Sequence, residues 1–293
     1  MKLHLIDTSG YIYRAYFVIR GGKESPGLID PDGNHVEGLY GFMRMSLALV
    51  RERIGEGALI ASVFDGHRRG EDHRSALDAT YKANRAPVDP DLAAQFPMVW
   101  EAAAALGLNP VKAPGFEADD VIASYVRAAR AEGLDVEVIS PDKDLSPLLC
   151  EGASSWDPIK NAPVDEAAVF AKFGVTPDKV RDVLGLMGDS ADNVPGVPGI
   201  GVKTAASLVN RYGSLEAALG NADYVTPPRI GSLLAIHADQ ARRSLELVTL
   251  RSDLPLPAPL SALGYAGPDM AALQSIVERR AFVSIAQEMG MAA

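Results

Sequence analysis

Four groups of carboxylates stand out in a chain of 293 residues: Asp7 with Asp65, the cluster Glu117-Ala118-Asp119-Asp120, Asp142 with Asp144, and Asp189 with Asp192. Taken singly, each has an ordinary explanation. Asp119 and Asp120 fall in the first turn of a predicted helix, where acids offset the helix dipole by about 0.3–1 kcal/mol, and an Asp at a strand end commonly closes a turn. Together they do not. Nine carboxylates converging on one crevice would repel one another by up to about 4 kcal/mol per adjacent pair, an arrangement no fold keeps for stability. Cations must neutralise it. Carboxylate and water ligands without His or Cys select hard ions, so two or more Mg²⁺ or Mn²⁺ ions are expected and zinc is not.

A second constellation is the segment Gly66–Pro87, with five basic side chains (Arg68, Arg69, Arg74, Lys82 and Arg85) against Glu71, Asp72 and Asp78. A charge-rich segment is ordinarily a solvated face. Here Tyr81 stands beside Lys82, with Arg85 one helical turn on, which offers a ring for base stacking and cations for phosphates near the acids. Arg74 is counted with the DNA-contacting cations, and His67 and His73 are read as surface residues. The third constellation is a helix-hairpin-helix candidate over 178–212. Gly199-Ile200-Gly201 opens a helix with Lys203 and Thr204 in its first turn, placing free backbone N–H groups and a cation where a phosphate can sit.

These groups need elements to hold them. Residues 2–7 (KLHLID), 58–65 (ALIASVFD) and 135–140 (DVEVIS) are short apolar runs that read as buried strands. Between and after them Leu39, Phe42, Met43 and Leu47, then Val121, Ile122, Tyr125 and Val126, have helical period. Alternation of strand and helix favours a parallel sheet covered by helices, whose ligands bind outside the carboxyl ends of the strands. Asp7, Asp65 and Asp142-Lys143-Asp144 sit at those ends. After about residue 174 the strand signals stop. Val180, Val183, Leu184 and Met187 mark one helix face, a second helix runs from about 203 to 212, and further helical patterns occupy 229–250 and 269–289. The expected division is an α/β domain over 1–174 and a helical region over 175–293.

Composition excludes several classes. Hydrophobic residues make up 47% and charged ones 23%, which rules out a disordered or fibrous chain. The longest stretch without a charged side chain, Leu254–Pro268, has 15 residues and four prolines, short of the roughly 18 apolar residues of a membrane helix. The N-terminal apolar run ends at Asp7, too soon for a signal-peptide core, so a cytoplasmic location without a membrane partner is expected. The lone Cys150 makes no internal disulfide. The net charge of −10 argues at first against a polyanionic partner. Yet nine of the 38 acidic side chains belong to the four groups, and the remaining 29 nearly balance the 28 basic ones. The acidity is local, and nucleic acid remains an acceptable partner once cations are bound.

At the level of whole motifs the chain resembles the 5′-nuclease (flap endonuclease) family, and within it the 5′→3′ exonuclease domains of bacterial polymerases. The residues that carry the likeness are Asp7-Thr8-Ser9-Gly10-Tyr11, Val63-Phe64-Asp65, Tyr81-Lys82-Ala83-Asn84-Arg85, Gly115-Phe116-Glu117-Ala118-Asp119-Asp120, Asp142-Lys143-Asp144 and the run from Gly188 to Ala205. Two positions depart from the family pattern. Pro141 stands where bacterial members commonly carry Gly, and His73-Arg74 with Ala76 stands where a Phe-Arg pair followed by Glu is usual.

The resemblance implies a PIN-like α/β domain, a helical arch at about 66–90 over the site, and a helix-three-turn-helix DNA-binding region. It makes Asp7, Asp65, Glu117, Asp119, Asp120, Asp142, Asp144, Asp189 and Asp192 the metal-site acids, with Glu117, Asp119, Asp120 and Asp142 innermost. Cleavage of DNA flaps, nicks and 5′ ends, RNA primers included, by a monomer with two metal ions is the implied activity, with no polymerase or proofreading domain expected. Lys82 and Arg85 would stabilise phosphate charge, Tyr81 would stack on an unpaired base, and Val197–Gly201 would hold K⁺ through backbone carbonyls. Two other classes fit less of the chain. A PIN-type ribonuclease has no need of the hairpin or arch, and a non-catalytic junction binder has no need of nine acids.

Overall fold

The structure, a computed structural model, describes residues 1–21, 25–67 and 70–291; Arg68 and Arg69 lie outside the described residues. Six strands, β1 (Lys2–Asp7), β2 (Leu59–Val63), β3 (Pro110–Val111), β4 (Asp135–Ile139), β5 (Ala153–Asp157) and β6 (Ala162–Val164), form one sheet in the order β3-β2-β1-β4-β5-β6. All pairings are parallel except β5 with β6. The three expected strands are the three central ones, and every residue of β2 is buried, as a sheet covered on both faces requires. Chain order runs outward from β1 through β2 to β3, then restarts on the other side at β4. The order therefore reverses between β1 and β4, and the crevice beyond their carboxyl ends is the natural ligand site.

Alternating side chains supply two cores. On one face Ile6 and Ile60 meet the helices Thr8–Arg20, Glu37–Arg53 and Gln95–Ala105 through Ile12, Phe42 and Val99. On the other, Leu3, Leu5 and Val138 meet Val121, Ile122, Tyr125 and Val126 of the helix Ala118–Ala131. A third core lies mainly among helices, where Val180, Val183 and Leu184 of Val180–Met187 pack with Leu208 and Val209 of Val202–Tyr212.

The expected division at 174 is crossed in both directions. Val169 and Phe173 pack in the helical core, whereas Leu254, Leu260 and Leu263 cover the helix Ala118–Ala131. Leu273, Ile276 and Ile285, from the last two helices, return to the first face of the sheet. Tyr125 Oη donates to the Ala258 carbonyl at 2.9 Å, pinning the Pro-rich return segment. Among the described residues no helix is long and apolar enough to cross a membrane.

The helical arch expected at about 66–90 is mostly turn and loop. Between residues 66 and 89 the only helix among the described residues is His73–Leu77. It stops because Asp78 Oδ1 accepts from Thr80 N (2.9 Å) and Thr80 Oγ1 (2.7 Å) in a local turn, and Lys82 takes a left-handed φ of 53°. The segment is then strapped to the loop after the helix Val180–Met187. Lys82 N donates to the Asp192 carbonyl (2.8 Å), Asn84 Nδ2 to the Ser190 carbonyl (2.7 Å) and Asn193 Nδ2 to the Thr80 carbonyl (2.7 Å).

One ion cluster underpins the sheet itself. Glu137 of β4 is buried and accepts from Lys2 Nζ at 3.0 Å and Arg53 Nη2 at 2.6 Å, and lies 3.1 Å from His4 Nδ1 on β1; Arg53 also stacks on Trp156 of β5, 3.7 Å from the ring centre. Burial pushes the Glu137 carboxyl upward, but His4, Arg53 and Lys2 overcome it and hold the pKa far below the ordinary value. A depressed carboxyl stabilises the fold above its unfolded pKa and loses that contribution as pH falls through the folded one. Glu137→Ala is expected to cost about 2–4 kcal/mol at pH 7, read by calorimetry, with the difference from wild type shrinking below pH 4. A cost under about 0.5 kcal/mol would contradict this account.

Candidate metal and nucleic-acid site

The acids are brought in by element ends. Asp7 closes β1 and caps the helix Thr8–Arg20, accepting from Gly10 N (3.4 Å) and Ser140 Oγ (2.8 Å). Asp65 follows β2 and accepts from Ser9 Oγ (2.7 Å) and from Ala118 N (2.9 Å), which ties it to the first turn of the helix carrying Asp119. Gly66 permits this approach, since a Cβ there would lie 1.8 Å from the Ala113 carbonyl oxygen. Asp142 follows β4 and accepts from Asp144 N (2.9 Å). Asp189 and Asp192 stand on the loop joining the two helices of the hairpin motif, which Asp189 and Val194 close by mutual backbone hydrogen bonds. Gly188 (φ 76°) and Gly196 (φ 59°) face each other at its base, and a Cβ on Gly196 would meet Gly188 N at 2.2 Å.

Glu117, Asp119, Asp144, Asp189 and Asp192 line one narrow crevice. Asp7 and Asp142 lie close enough to raise the Asp119 carboxyl, and Asp142 and Asp65 to raise Asp7. Eight of the nine acids are thus assembled. The ninth, Asp120, is turned back into the protein. It is 0% exposed, and the Arg74 guanidinium grips its two oxygens at 2.7 Å each while Arg251 N donates to Oδ1 at 2.9 Å. Asp120 is therefore placed as the partner of Arg74 and not beside Asp119. Arg74 likewise departs from its expected role as a DNA contact, because it is 3% exposed and its Nε donates to the Leu247 carbonyl at 2.8 Å.

Protein cations stand among the remaining acids. Lys82 Nζ is 2.6 Å from Glu117 Oε1 and 3.6 Å from Asp192 Oδ2, Arg85 pairs with Asp192, and Lys143 pairs with Asp189. Lys143 was hidden in plain view between Asp142 and Asp144. Burial alone would lower the Lys82 ammonium's pKa, but Glu117 and Asp192 raise it. Tyr81, expected as a stacking platform, is 6% exposed. Its ring packs with Val194 and Leu247 and its hydroxyl donates to Asp192 Oδ2 (3.1 Å) and Glu117 Oε2 (3.3 Å). In this conformation it positions acids and presents no open face to a base.

The donor set fits hard divalent cations. It consists of carboxylates, and Asp144 Oδ1 is buried with no hydrogen-bond partner. Burial pushes Asp7 and Asp144 up to about 7, with the charges of Asp142 on both and of Asp65 on Asp7 adding to it, and burial raises Asp119 well above the carboxylate range. Raised carboxyls bind protons in the folded state that the unfolded chain has already released, so between about pH 4 and pH 7 they remove stability as pH rises. The metal-free protein is expected to melt at progressively lower temperature over that window. Millimolar Mg²⁺ should restore the loss at pH 7 through RT ln(1 + [L]/Kd); a pH-independent melting temperature in EDTA would contradict it. A second grouping escaped the sequence reading. His67, Asp72 and Glu117 bring ligand atoms within 4.8 Å of one another, and the His67 and His73 side chains, expected at the surface, are only 11% and 19% exposed.

On the helical side Gly201 caps the helix Val202–Tyr212, Lys203 is exposed and Thr204 half-buried. Gly199 (φ 82°) turns the hairpin, and a Cβ there would lie 3.6 Å from the Arg229 guanidinium. Arg229 thereby adds a cation that no sequence spacing linked to the hairpin.

A reversed parallel sheet with carboxylates gathered at its switch point, joined to a helix-hairpin-helix region, defines a carboxylate-site α/β protein. Two family models narrow the class: one described as "5′-3′ exonuclease, N-terminal resolvase-like domain" matches residues 2–174, and one described as "5′-3′ exonuclease, C-terminal SAM fold" matches residues 175–271. The chain belongs to the 5′-3′ exonuclease family. It is 37% identical over 266 residues to DNA polymerase I of Rhizobium leguminosarum, covering 89% of this chain and 26% of that protein. It is 35% identical over 290 residues to the thermostable DNA polymerase I of Thermus aquaticus, covering 99% and 33%. The chain thus spans between a quarter and a third of the length of these relatives. Among solved structures, T5 D15 protein co-crystallised with metal ions superposes with a TM-score of 0.68 at 17% identity, covering 98% of this chain and 100% of that one. The catalytic core of Rad2 in complex with DNA substrate gives 0.61 at 14%, covering 95% and 87%. At these identities the likeness is one of fold.

Proposed function

We propose that the protein is a Mg²⁺- or Mn²⁺-dependent, structure-specific 5′ nuclease that hydrolyses phosphodiester bonds at DNA flaps, nicks and 5′ ends, RNA-DNA primers included, as a cytoplasmic monomer. The observation that carries this is the assembly of eight carboxylates at the sheet's switch point, interleaved with Lys82, Arg85 and Lys143. Divalent ions held there would lower the pKa of a bound water and neutralise charge on the scissile phosphate. No side-chain nucleophile is required. Lys82 and Arg85 stand where charge develops on that phosphate, while Asp7, Asp65, Glu117, Asp119, Asp142, Asp144, Asp189 and Asp192 supply the ligands. Asp120 supports them through Arg74. The hairpin from Val197 to Gly201 holds K⁺ on its carbonyls and, with Lys203 and Thr204 of the helix that follows, binds duplex backbone. A 5′-labelled flap, a nick and a blunt duplex incubated with and without Mg²⁺ test the proposal by product length. Mg²⁺-dependent cutting near the flap junction is expected, and equal or greater cutting of single-stranded RNA would overturn it.

Lys203 carries a separate expectation. Exposed in the hairpin helix and absent from the acidic crevice, it neutralises one duplex phosphate. Lys203→Ala should weaken binding to every sequence alike and reduce the salt slope of log K by about 0.9. Anisotropy at several salt concentrations with Ca²⁺ in place of Mg²⁺ measures this, and an unchanged slope refutes it.

A further inference from the structure

Beside the acids, on the β2 side, lies a pocket of about 340 Å³ lined by Phe64, Asp65, Phe96, Pro97, Trp100 and Lys112, at the lower end of the range for small-ligand sites. Its walls come from three places. Phe64 follows β2, Lys112 follows β3, and Phe96 and Trp100 stand one turn apart on the helix Gln95–Ala105. The Phe64 and Trp100 rings are 5.0 Å apart and inclined at 50°, and Tyr13 meets the edge of Phe96 at 6.1 Å. Phe96 and Trp100 are half-buried, so packing fixes their planes while leaving them open to the pocket. The exposed Lys112 ammonium lies 5.2 Å from the centre of the Trp100 ring, and among the described residues no carboxylate lies within ion-pair distance of it. A more polar pocket of about 420 Å³ shares Asp65 and Lys112 and extends past His67 to Gly115.

Half-buried rings on the wall, a cation that rests on one of them with no carboxylate in ion-pair reach, and a shared wall with a metal-site acid describe a site for a nucleotide. An unpaired base offers a π-face to stack, and each nucleotide brings a phosphate that the acids repel and Lys112 attracts. We propose that this pocket receives an unpaired base of the single-stranded 5′ arm close to the scissile phosphate, with Lys112 on the adjoining phosphate. The inference rests on the nuclease function proposed above and states where the flap leaves the acids. Stacking is tolerant of sequence, as a site that accepts any flap must be. A protein segment is the alternative occupant, and it has no need of Lys112 beside Asp65.

The test is a cycle of flap affinities by anisotropy in Ca²⁺, using flaps with a normal or an abasic residue at each of the first three unpaired positions. In the wild type, one abasic position should weaken binding about tenfold. Trp100→Ala should weaken the intact flap by a similar factor and bind that abasic flap as the wild type does, and Trp100→Phe should keep most of the affinity. Lys112→Ala should reduce the salt slope by about 0.7 for the flapped substrate and leave that of a flapless nick unchanged. If Trp100→Ala weakens intact and abasic flaps equally, or weakens neither, or if neither variant affects flap binding because the pocket serves a protein, the pocket assignment is overturned. A wild type that cleaves flaps while showing no such coupling overturns the pocket alone; one that neither binds nor cleaves them overturns the nuclease function.

Discussion

Asp119→Asn is expected to lower the single-turnover rate on a saturating flap by about a thousandfold or more, while flap affinity holds or tightens. Among the described residues no hydrogen-bond donor reaches the Asp119 carboxylate, and burial together with the charges of Asp142, Asp7 and Glu117 raises its pKa. Its charge is therefore offset only in part, by Lys82, until cations arrive. Removing it takes away a ligand and also removes repulsion between the crevice and a phosphate, so rate and affinity should move in opposite directions. The same relief should raise the melting temperature of the metal-free protein. Flap affinity in Ca²⁺, rapid-quench rates in Mg²⁺ and melting in EDTA measure the three. Near-normal turnover at millimolar Mg²⁺ would remove Asp119 from the metal site.

That experiment depends on a distinction that adjacency in sequence hides. Asp119 and Asp120 are neighbours, and both read as crevice ligands when the acids are counted as a cluster. Consecutive helical residues project about 100° apart, and in the first turn of the helix Ala118–Ala131 Asp119 lines the crevice while Asp120 turns to Arg74 and Arg251 N. The partner that claims Asp120, Arg74, comes from a segment 46 positions earlier, and nothing in spacing marks it. The central strands were legible because burial on both faces demands apolar runs. β5 was not: it reads ASSWD and only its first and last residues are buried. β3 has two residues, and β6 is a three-residue strand containing Pro163. The helical arch that the family resemblance implies is cut short, because Asp78, Thr80 and the left-handed Lys82 end the helix His73–Leu77 and lay the chain against Asp189–Val194. Chemistry-bearing residue types were readable from sequence, and the directions of their side chains were set by tertiary contacts.

The Lys82, Arg85 and Lys143 ion pairs follow from the same electrostatics. Each joins a flexible cation to an acid in the crevice, and each differs in burial from the Arg74–Asp120 pair: Arg85 is about half exposed and Lys143 about a quarter, against 3% and 0% for Arg74 and Asp120. Ion pairs of exposed cations exchange at little cost, so Arg85, about half exposed, can leave its acid for a phosphate more readily than Lys143. Arg74 cannot. Besides Asp120 it contacts Glu117 Oε2 at 3.4 Å and the Thr249 carbonyl at 3.4 Å, joining the helix His73–Leu77, the helix Ala118–Ala131 and the end of the helix Ala238–Val248 in one buried node.

Arg74→Ala is accordingly expected to destabilise the metal-free protein by about 3–5 kcal/mol, because it leaves the buried Asp120 without its countercharge. Asp120→Asn should also destabilise, since the guanidinium then stays buried against a neutral amide. This is the sign opposite to that expected for Asp119→Asn, although the two positions are adjacent and carry the same side chain. Replacing both partners by apolar residues, Arg74→Met with Asp120→Leu, should cost clearly less than Arg74→Met and Asp120→Leu made singly and added together, because neither member of the pair is left as a lone buried charge. Denaturant melts in EDTA at pH 7 give all these values. If Asp119→Asn and Asp120→Asn shift stability in the same direction, or if the Arg74 and Asp120 losses simply add, the buried pair is not what fixes Asp120, and its carboxylate belongs with the other eight.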